Sequence, residues 1–284
     1  MPFGIAKEQE RFKSQYPTFL KHHDALEATT DKFFAREIKS ASKVDRVIFG
    51  LGLICGEDFQ QAFVLCGNGF GIGALQIVRG MYERQVTAAY LANHPDEIQD
   101  FLDYHHVHRR KALNHLREIY ESGTLEKIVD SQEQASIETR FQSVKAKFTE
   151  TICVRCQKTR TMLSWSKHHT GVLAKKGNQM LARGYYAYYY RPTLLSHSTL
   201  TSLTSRLFKE EDGSFAFDVD GQRSHITEAL INAHGLLLSV LELQNKHFKL
   251  GLDEELRERF REFKETWKLD TKENKGDCRI SDFQ

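Results

Sequence analysis

Apolar side chains recur along most of this chain at intervals of three and four, the spacing of one face of an α-helix, and few glycines or prolines interrupt them. The pattern predicts one or two helices over residues 4–38 with a joint near Pro17. It predicts a second over 42–66, after Ser40, and a third over about 71–93, opened by the glycine-rich CGNGFGIG of residues 66–73. The 71–93 segment is apolar on most sides, with Leu75, Ile77, Val78, Met81, Tyr82, Val86, Ala89 and Leu91, as expected of a helix surrounded by others. His94-Pro95-Asp96 breaks the pattern. Pro95 suits the first turn of the next helix, and Asp96 and Glu97 suit its positive end. That helix is predicted over about 96–122, with Ile98, Leu102, Leu113, Leu116 and Tyr120 facing inward and a stop at Gly123.

Residues 124–151 read as a peripheral, charge-mixed helical stretch. The cluster Tyr185, Tyr186, Tyr188, Tyr189 and Tyr190 leads through Arg191-Pro192 into a helical run to about 209. The alternation in SFAFDV, bracketed by Glu211-Asp212-Gly213 and Asp220-Gly221, predicts a small β-hairpin insert near residues 213–221. Helices over about 225–248 and 253–268 follow, and residues 270–284 read as a loosely ordered tail. The fold class expected is all-α, a multi-helix bundle with that one insert. Residues 1–269 form a single domain, with the helices of residues 1–40 as a peripheral extension.

Composition narrows this picture. Among 284 residues, 40 basic and 38 acidic side chains give a net charge of +2, which excludes the broad basic field of a nucleic-acid-coating protein. Any RNA contact must be local. With 40% hydrophobic residues, 11% aromatic residues and 4 prolines, disordered and collagen-like chains are excluded. No run of 18 consecutive apolar residues occurs, and the first residues (MPFGIAKEQERFKSQ) carry charges where a signal peptide is apolar. The expectation is a cytoplasmic chain without a membrane partner.

Cys55, Cys66, Cys153, Cys156 and Cys278 are scattered, unlike a disulfide framework. Cys153 and Cys156 form a C-x-x-C, but no second pair follows to complete a zinc site, so the thiols are read as structural or incidental. Gly69-Phe-Gly71-Ile-Gly73-Ala74 fits the dinucleotide pattern G-x-G-x-x-A. The parallel strands that a dinucleotide fold requires do not follow, so it is read as an interhelical turn. Neither a cofactor nor a metal is expected.

Three clusters carry candidate chemistry. Arg79 and Glu83, four apart on an apolar stripe, form either an ion pair that fixes register or the wall of a polar pocket. His105 and Arg109 stand where the 96–122 helix should be apolar, within Asp103-Tyr104-His105-His106-Val107-His108-Arg109-Arg110, the densest titratable cluster in the sequence. A metal site drawn from Glu83, Asp103, His106, His225 and Glu228 matches the bundle-metal spacing only imperfectly. The third cluster, YYAYYYRPTLLSHST over residues 185–199, holds Arg191 and His197 with five residues between. An imidazole exchanges protons near neutral pH, a guanidinium grips phosphate, and tyrosines stack bases. Pro192 is expected to push Arg191 out of the α region, leaving both side chains near one end of a helix.

Arg191-x5-His197 resembles the Arg-x4–6-His motif of the HEPN superfamily. That resemblance implies a homodimeric, metal-independent ribonuclease of a defence or toxin type, with Arg191 and His197 catalytic; His105, from the second cluster, is added as a supporting residue. More widely, Arg79-Gly-Met-Tyr-Glu83, Tyr90, His94-Pro95, Phe101, Tyr104, Trp165 and Tyr189-x3-Thr193-x3-His197 resemble the helical domain of unknown function family 5677. The likeness spans about residues 45–245 and implies an all-α bacterial or phage-borne protein. The resemblance carries over Arg79, Glu83, Thr193 and His197 as motif positions. Together these define a polar pocket of Arg79, Glu83, Tyr104, His105, Arg109, Tyr189 and Thr193 around the catalytic pair. Two functions stay open at this point: an endoribonuclease acting on RNA, and a non-enzymatic sensor or scaffold that binds a protein partner or small ligand there.

Overall fold

The computed structural model describes residues 4–37, 41–153, 155–209, 213–217 and 223–268. Helices α1 (Ala6–Gln15) and α2 (Pro17–Phe34) meet at Tyr16, with Pro17 in the first turn of α2. Helix α3 (Lys43–Gly67) lies within one residue of the predicted 42–66 at each end, with Ser42 as its N-cap. The Ser42 hydroxyl accepts from the Asp45 N–H at 3.1 Å and the Asp45 carboxylate accepts from the Ser42 N–H at 3.0 Å, a reciprocal cap. Gly69, at φ +88°, turns the chain into α4 (Gly71–Asn93), so the glycine run is the interhelical turn its composition predicts. A 3-10 turn over Pro95–Glu97 then leads into α5 (Ile98–Ile119).

The 71–93 helix is central, as its all-round apolar surface requires. Helix α4 packs against α3, against α8 (Thr170–Gly177) and α10 (Arg191–Ser196), and against α12 (Ile226–Phe248). Leu75, Val78, Met81, Tyr82, Val86 and Leu91 are fully buried. Burial of side chains of this size contributes about 1.5–3 kcal/mol each relative to exposure. The Tyr82 hydroxyl, which must be satisfied inside, donates to the Leu181 carbonyl at 2.8 Å. Helices α1 and α2 add Phe12, Phe19, Leu26 and Phe33 to this same core. The helix α13 (Asp253–Trp267) closes it with Leu256.

Gly177 marks the closest approach onto α4. A Cβ there would stand 2.9 Å from the Tyr90 nitrogen and 3.2 Å from the Ala89 carbonyl carbon, both backbone atoms that cannot swing aside. Gly177→Ala is therefore expected to cost about 1–3 kcal/mol, the range for overpacking. Thermal denaturation checks this, and an unchanged Tm would remove the close approach from the account.

By length and composition alone, two helices could cross a membrane: α3, and residues 223–248, which include α12; 33% and 67% of the respective windows are buried inside the protein.

The periphery departs from the sequence reading in three places. First, α5 stops at Ile119, and Gly123 lies inside α6 (Ser122–Ile128) instead of ending the preceding helix; α7 (Ser131–Val144) follows. Tyr120, expected to face inward, is the exposed C-cap of α5. Second, the end of the supposed 124–151 helix is a strand. β1 (Thr149–Cys153) pairs antiparallel with β2 (Lys158–Thr161) in a hairpin that the sequence did not announce. Third, the run expected to stay helical to 209 breaks up into α10, α11 (Leu200–Thr204) and β3 (Leu207–Lys209). β3 pairs antiparallel with β4 (Phe215–Phe217), Leu207 opposite Phe217. The expected insert is thus present, with its first strand upstream of residue 213. Residues 210–212, 218–222 and the 270–284 tail lie outside the described residues.

Candidate functional site

The tyrosine cluster begins after α9 (Gln179–Arg183) and continues as a π-helical turn over Tyr186–Tyr190, which runs directly into α10. Arg191 has φ −62° and ψ −48°, fully helical. Pro192 therefore does not drive it out of the α region. The wide π turn accommodates the proline ring at the start of α10, where a missing N–H costs least. Arg191 heads α10 and His197 is its C-cap, so the two stand at opposite ends of the helix, about 9 Å apart along its axis at ~1.5 Å per residue. The expectation that both gather at one helix end is overturned.

Each finds a different partner. Arg191 Nε donates to Glu228 Oε1 at 2.7 Å, and His225 Nδ1 lies 3.4 Å from the other carboxylate oxygen. Burial alone would raise the Glu228 carboxyl, but the His225 hydrogen bond and Arg191 outweigh it and hold the group below the usual carboxylate range. Arg191 is correspondingly held more firmly charged, Glu228 overcoming the opposing effect of burial.

His197 instead meets Arg79. Its exposed ring places Nε2 at 3.3 Å from Arg79 Nη1, across 118 positions of sequence. A guanidinium can only donate, so Nε2 is the acceptor and the ring proton sits on Nδ1. Arg79 Nη2 reaches Glu83 Oε1 at 3.5 Å, and its Cζ lies 5.2 Å from the centre of the Tyr189 ring. The buried Arg79 Nε has no hydrogen-bond partner among the described residues, leaving one donor unused. Tyr189 in turn packs against Tyr82 and Tyr185, at ring separations of 6.1 and 5.2 Å. The Thr193 hydroxyl is spent locally, donating to the Tyr189 carbonyl at 2.6 Å, and so ties the head of α10 to the residue that packs under Arg79. Arg79, Glu83, Tyr189 and His197 thus converge, with Thr193 in their support.

The other predicted pocket residues do not join them. Helix α5 packs chiefly on α7, which takes its cluster elsewhere. Tyr104 is buried in a second core with Val107, Phe141, Phe148 and Met162, its hydroxyl donating to the Met162 carbonyl at 2.8 Å. Arg109 pairs with Glu133 on α7, and exposed His105 touches only the His106 ring among the described aromatic contacts. Nor does the drawn metal set assemble: Asp103 accepts from Lys147 and Gln99, Glu83 faces Arg79, and Glu228 faces Arg191. Sequence reasoning missed Glu228 as the partner of Arg191, because nothing local joins residues 37 positions apart.

No match is found among the curated proteins or the solved structures. One family model does match, the family of unknown function DUF5677, over residues 45–215. The match runs from the first turn of α3 to the first residue of β4 and includes Arg79, Glu83, Tyr189, Thr193 and His197. Because it covers more than half of the 284 residues, this chain belongs to the family of unknown function DUF5677.

Proposed function

We propose that this protein is a metal-independent endoribonuclease whose working pair is Arg79 and His197, in place of the Arg191 and His197 that the sequence motif names. The observation that carries the reading is the 3.3 Å contact between Arg79 Nη1 and Nε2 of a solvent-facing His197. RNA transesterification needs such a pairing: a base to take the ribose 2′-hydroxyl proton and a fixed cation for the phosphate. When a phosphate oxygen draws Arg79 toward itself, His197 Nε2 is released to accept the 2′-hydroxyl proton. The 2′-oxygen then bonds to phosphorus and the bond from phosphorus to the 5′-oxygen breaks. A proton from solvent completes the 5′-hydroxyl, and the other product ends in a 2′,3′-cyclic phosphate. Glu83 holds the second Arg79 nitrogen, and Tyr189 underlies the guanidinium, so both orient the clamp. Tyr186 and Tyr190, exposed and 6.0 Å apart with rings tilted by 33°, offer faces on which bases can stack.

The test is incubation of the purified protein with a varied RNA panel in EDTA, with end-group analysis. Cleavage leaving 5′-hydroxyl and cyclic phosphate ends is expected, and an intact panel would displace the reading.

A second reading, a ligand-binding sensor, rests on a different observation. A cleft of about 400 Å3 between α4 and α12 is lined by Gln85, Asn93, Ser239, Glu242 and Lys246. Gln85 Oε1 and Ser239 Oγ are buried beside it without hydrogen-bond partners among the described residues, which favours a small polar ligand.

A further inference from the structure

The cleft between α4 and α12 has a polar interior that the ribonuclease chemistry leaves unused. Its volume, about 400 Å3, falls within the ~300–1,000 Å3 of small-molecule sites. Gln85 on α4 and Ser239 on α12 lie deepest, 2% and 3% exposed. Their Oε1 and Oγ have no hydrogen-bond partner among the described residues. Folding leaves few buried polar atoms unpaired, because each has given up water without a replacement. Two of them at one floor, from two packed helices, call for a guest that brings a hydrogen-bond donor.

The joint between α8 and α9 supplies one wall. Asn93 Nδ2 donates to the Gly177 carbonyl at 2.8 Å, and since a carbonyl only accepts, the amide orientation is fixed and Oδ1 remains as an acceptor. Asn178 Oδ1 accepts from the Met180 and Leu181 N–H groups as the cap of α9, which leaves Nδ2 as a donor. At the exposed mouth stand Glu242 and Lys246, one turn apart on α12. Glutamate four residues ahead of lysine is the favourable order for a helical ion pair, yet neither is in an ion pair among the described residues. The mouth thus presents an anion and a cation side by side, both open to a guest. His247, the other titratable group of the lining, is already engaged by Asp45 at 2.8 Å.

We propose that this cleft binds a zwitterionic α-amino acid whose side chain carries a hydrogen-bond donor. The proposal rests on the ligand-binding reading of the cleft and is independent of the Arg79–His197 pair. Lys246 and Asn178 Nδ2 take the carboxylate, Glu242 and Asn93 Oδ1 take the ammonium, and the side-chain donor reaches down to Gln85 Oε1 and Ser239 Oγ. Opposite charges at the mouth discriminate by repulsion as well as attraction: a phosphate or dicarboxylate meets Glu242, and a polyamine meets Lys246. An apolar side chain leaves both floor atoms unpaired and is rejected on that ground.

Calorimetric titration of the full-length protein with each standard amino acid in turn tests this. Saturable binding of at least one donor-bearing member is expected, with its apolar counterpart, such as methionine for glutamine, about tenfold weaker or more. Removing either charge of the bound amino acid, as its carboxamide or its des-amino acid, is expected to weaken binding by a similar factor. These comparisons use the unaltered protein, so they stand even if a variant fails to fold. Glu242→Ala and Lys246→Ala should each weaken binding likewise, Gln85→Met should erase the preference for a donor-bearing side chain, and Ala92→Trp, which fills the cleft, should abolish binding. A parallel panel of nucleosides, sugars, polyamines and dicarboxylates separates two failures. If only a member of that panel binds, and Ala92→Trp abolishes it, the amino-acid proposal is overturned and the cleft remains a ligand site. If neither panel binds, both fall. Amino-acid binding that ignores the loss of either ligand charge, favours apolar side chains, or persists in folded Ala92→Trp would also overturn the proposal.

Discussion

Replacement of His197 by alanine is expected to slow RNA cleavage by about 10²–10⁴-fold, the usual worth of a positioned general base, without loss of helix content. Tolerance of the change follows from its position: the ring is exposed at the end of α10, and its removal opens no cavity. Arg79→Ala is expected to lose cleavage on a similar scale, because the phosphate charge that develops beside His197 then has no fixed partner. Arg191→Gln should behave differently. Its guanidinium faces Glu228, so the loss appears as a lower Tm, and the cleavage rate of the folded fraction stays within a few-fold of the unaltered protein. Rates measured beside circular dichroism separate the two outcomes. Equal losses of rate in the Arg79 and Arg191 variants would return the active site to the Arg-x5-His motif.

The largest expected effect on stability comes with acid. His234 is enclosed by Phe19, Phe59, Phe263 and Trp267, and its Nδ1 accepts the Trp267 indole N–H at 3.3 Å. Burial, with smaller contributions from His23 and His22, lowers its pKa from 6.5 to about 3. The sign follows directly. Below about 6.5 the unfolded chain binds a proton that the folded chain refuses, so stability that is complete above that pH drains away as the pH falls toward 3. Between pH 6.5 and pH 4 the loss amounts to roughly 3 kcal/mol, at ~1.4 kcal/mol per unit. Urea denaturation at pH 7 and pH 4 measures it. His234→Phe, which removes the titrating group, is expected to flatten this limb even if it lowers stability at pH 7. An acid limb of equal depth in that variant would assign the loss to other groups, Glu228 first among them.

Much of the fold was legible because the core helices bury periodic apolar faces. The sides of α4 are apolar nearly all round, and that is why it sits at the centre. The turns at Pro17 and His94-Pro95 were legible for an equally local reason, the missing N–H and fixed φ of proline. The β1–β2 hairpin was not legible, since most of its residues are exposed on both faces and no apolar alternation marks them. The π turn at Tyr186–Tyr190 was hidden too. Nothing in the tyrosine run itself marks a wider turn, which sets Tyr185, Tyr188 and Tyr189 around Tyr82.

The candidate site divides along the same line. Arg79 and Glu83 share a helix face, and four-residue spacing suffices to pair them. The neighbours of His197 cannot be read that way, because α10 meets α4 only through the tertiary fold. A motif with five residues between its ends suggested Arg191, yet those residues are helical and hold its ends apart, and Arg79 on another helix takes the place beside the histidine.

The most direct test of the central claim is a double-mutant cycle of cleavage rates in EDTA, built from Arg79→Ala, His197→Ala and the two combined. If the two residues act as one unit, the combined variant is no slower than either single one. Rate losses that multiply would contradict the claim, placing Arg79 and His197 in independent roles.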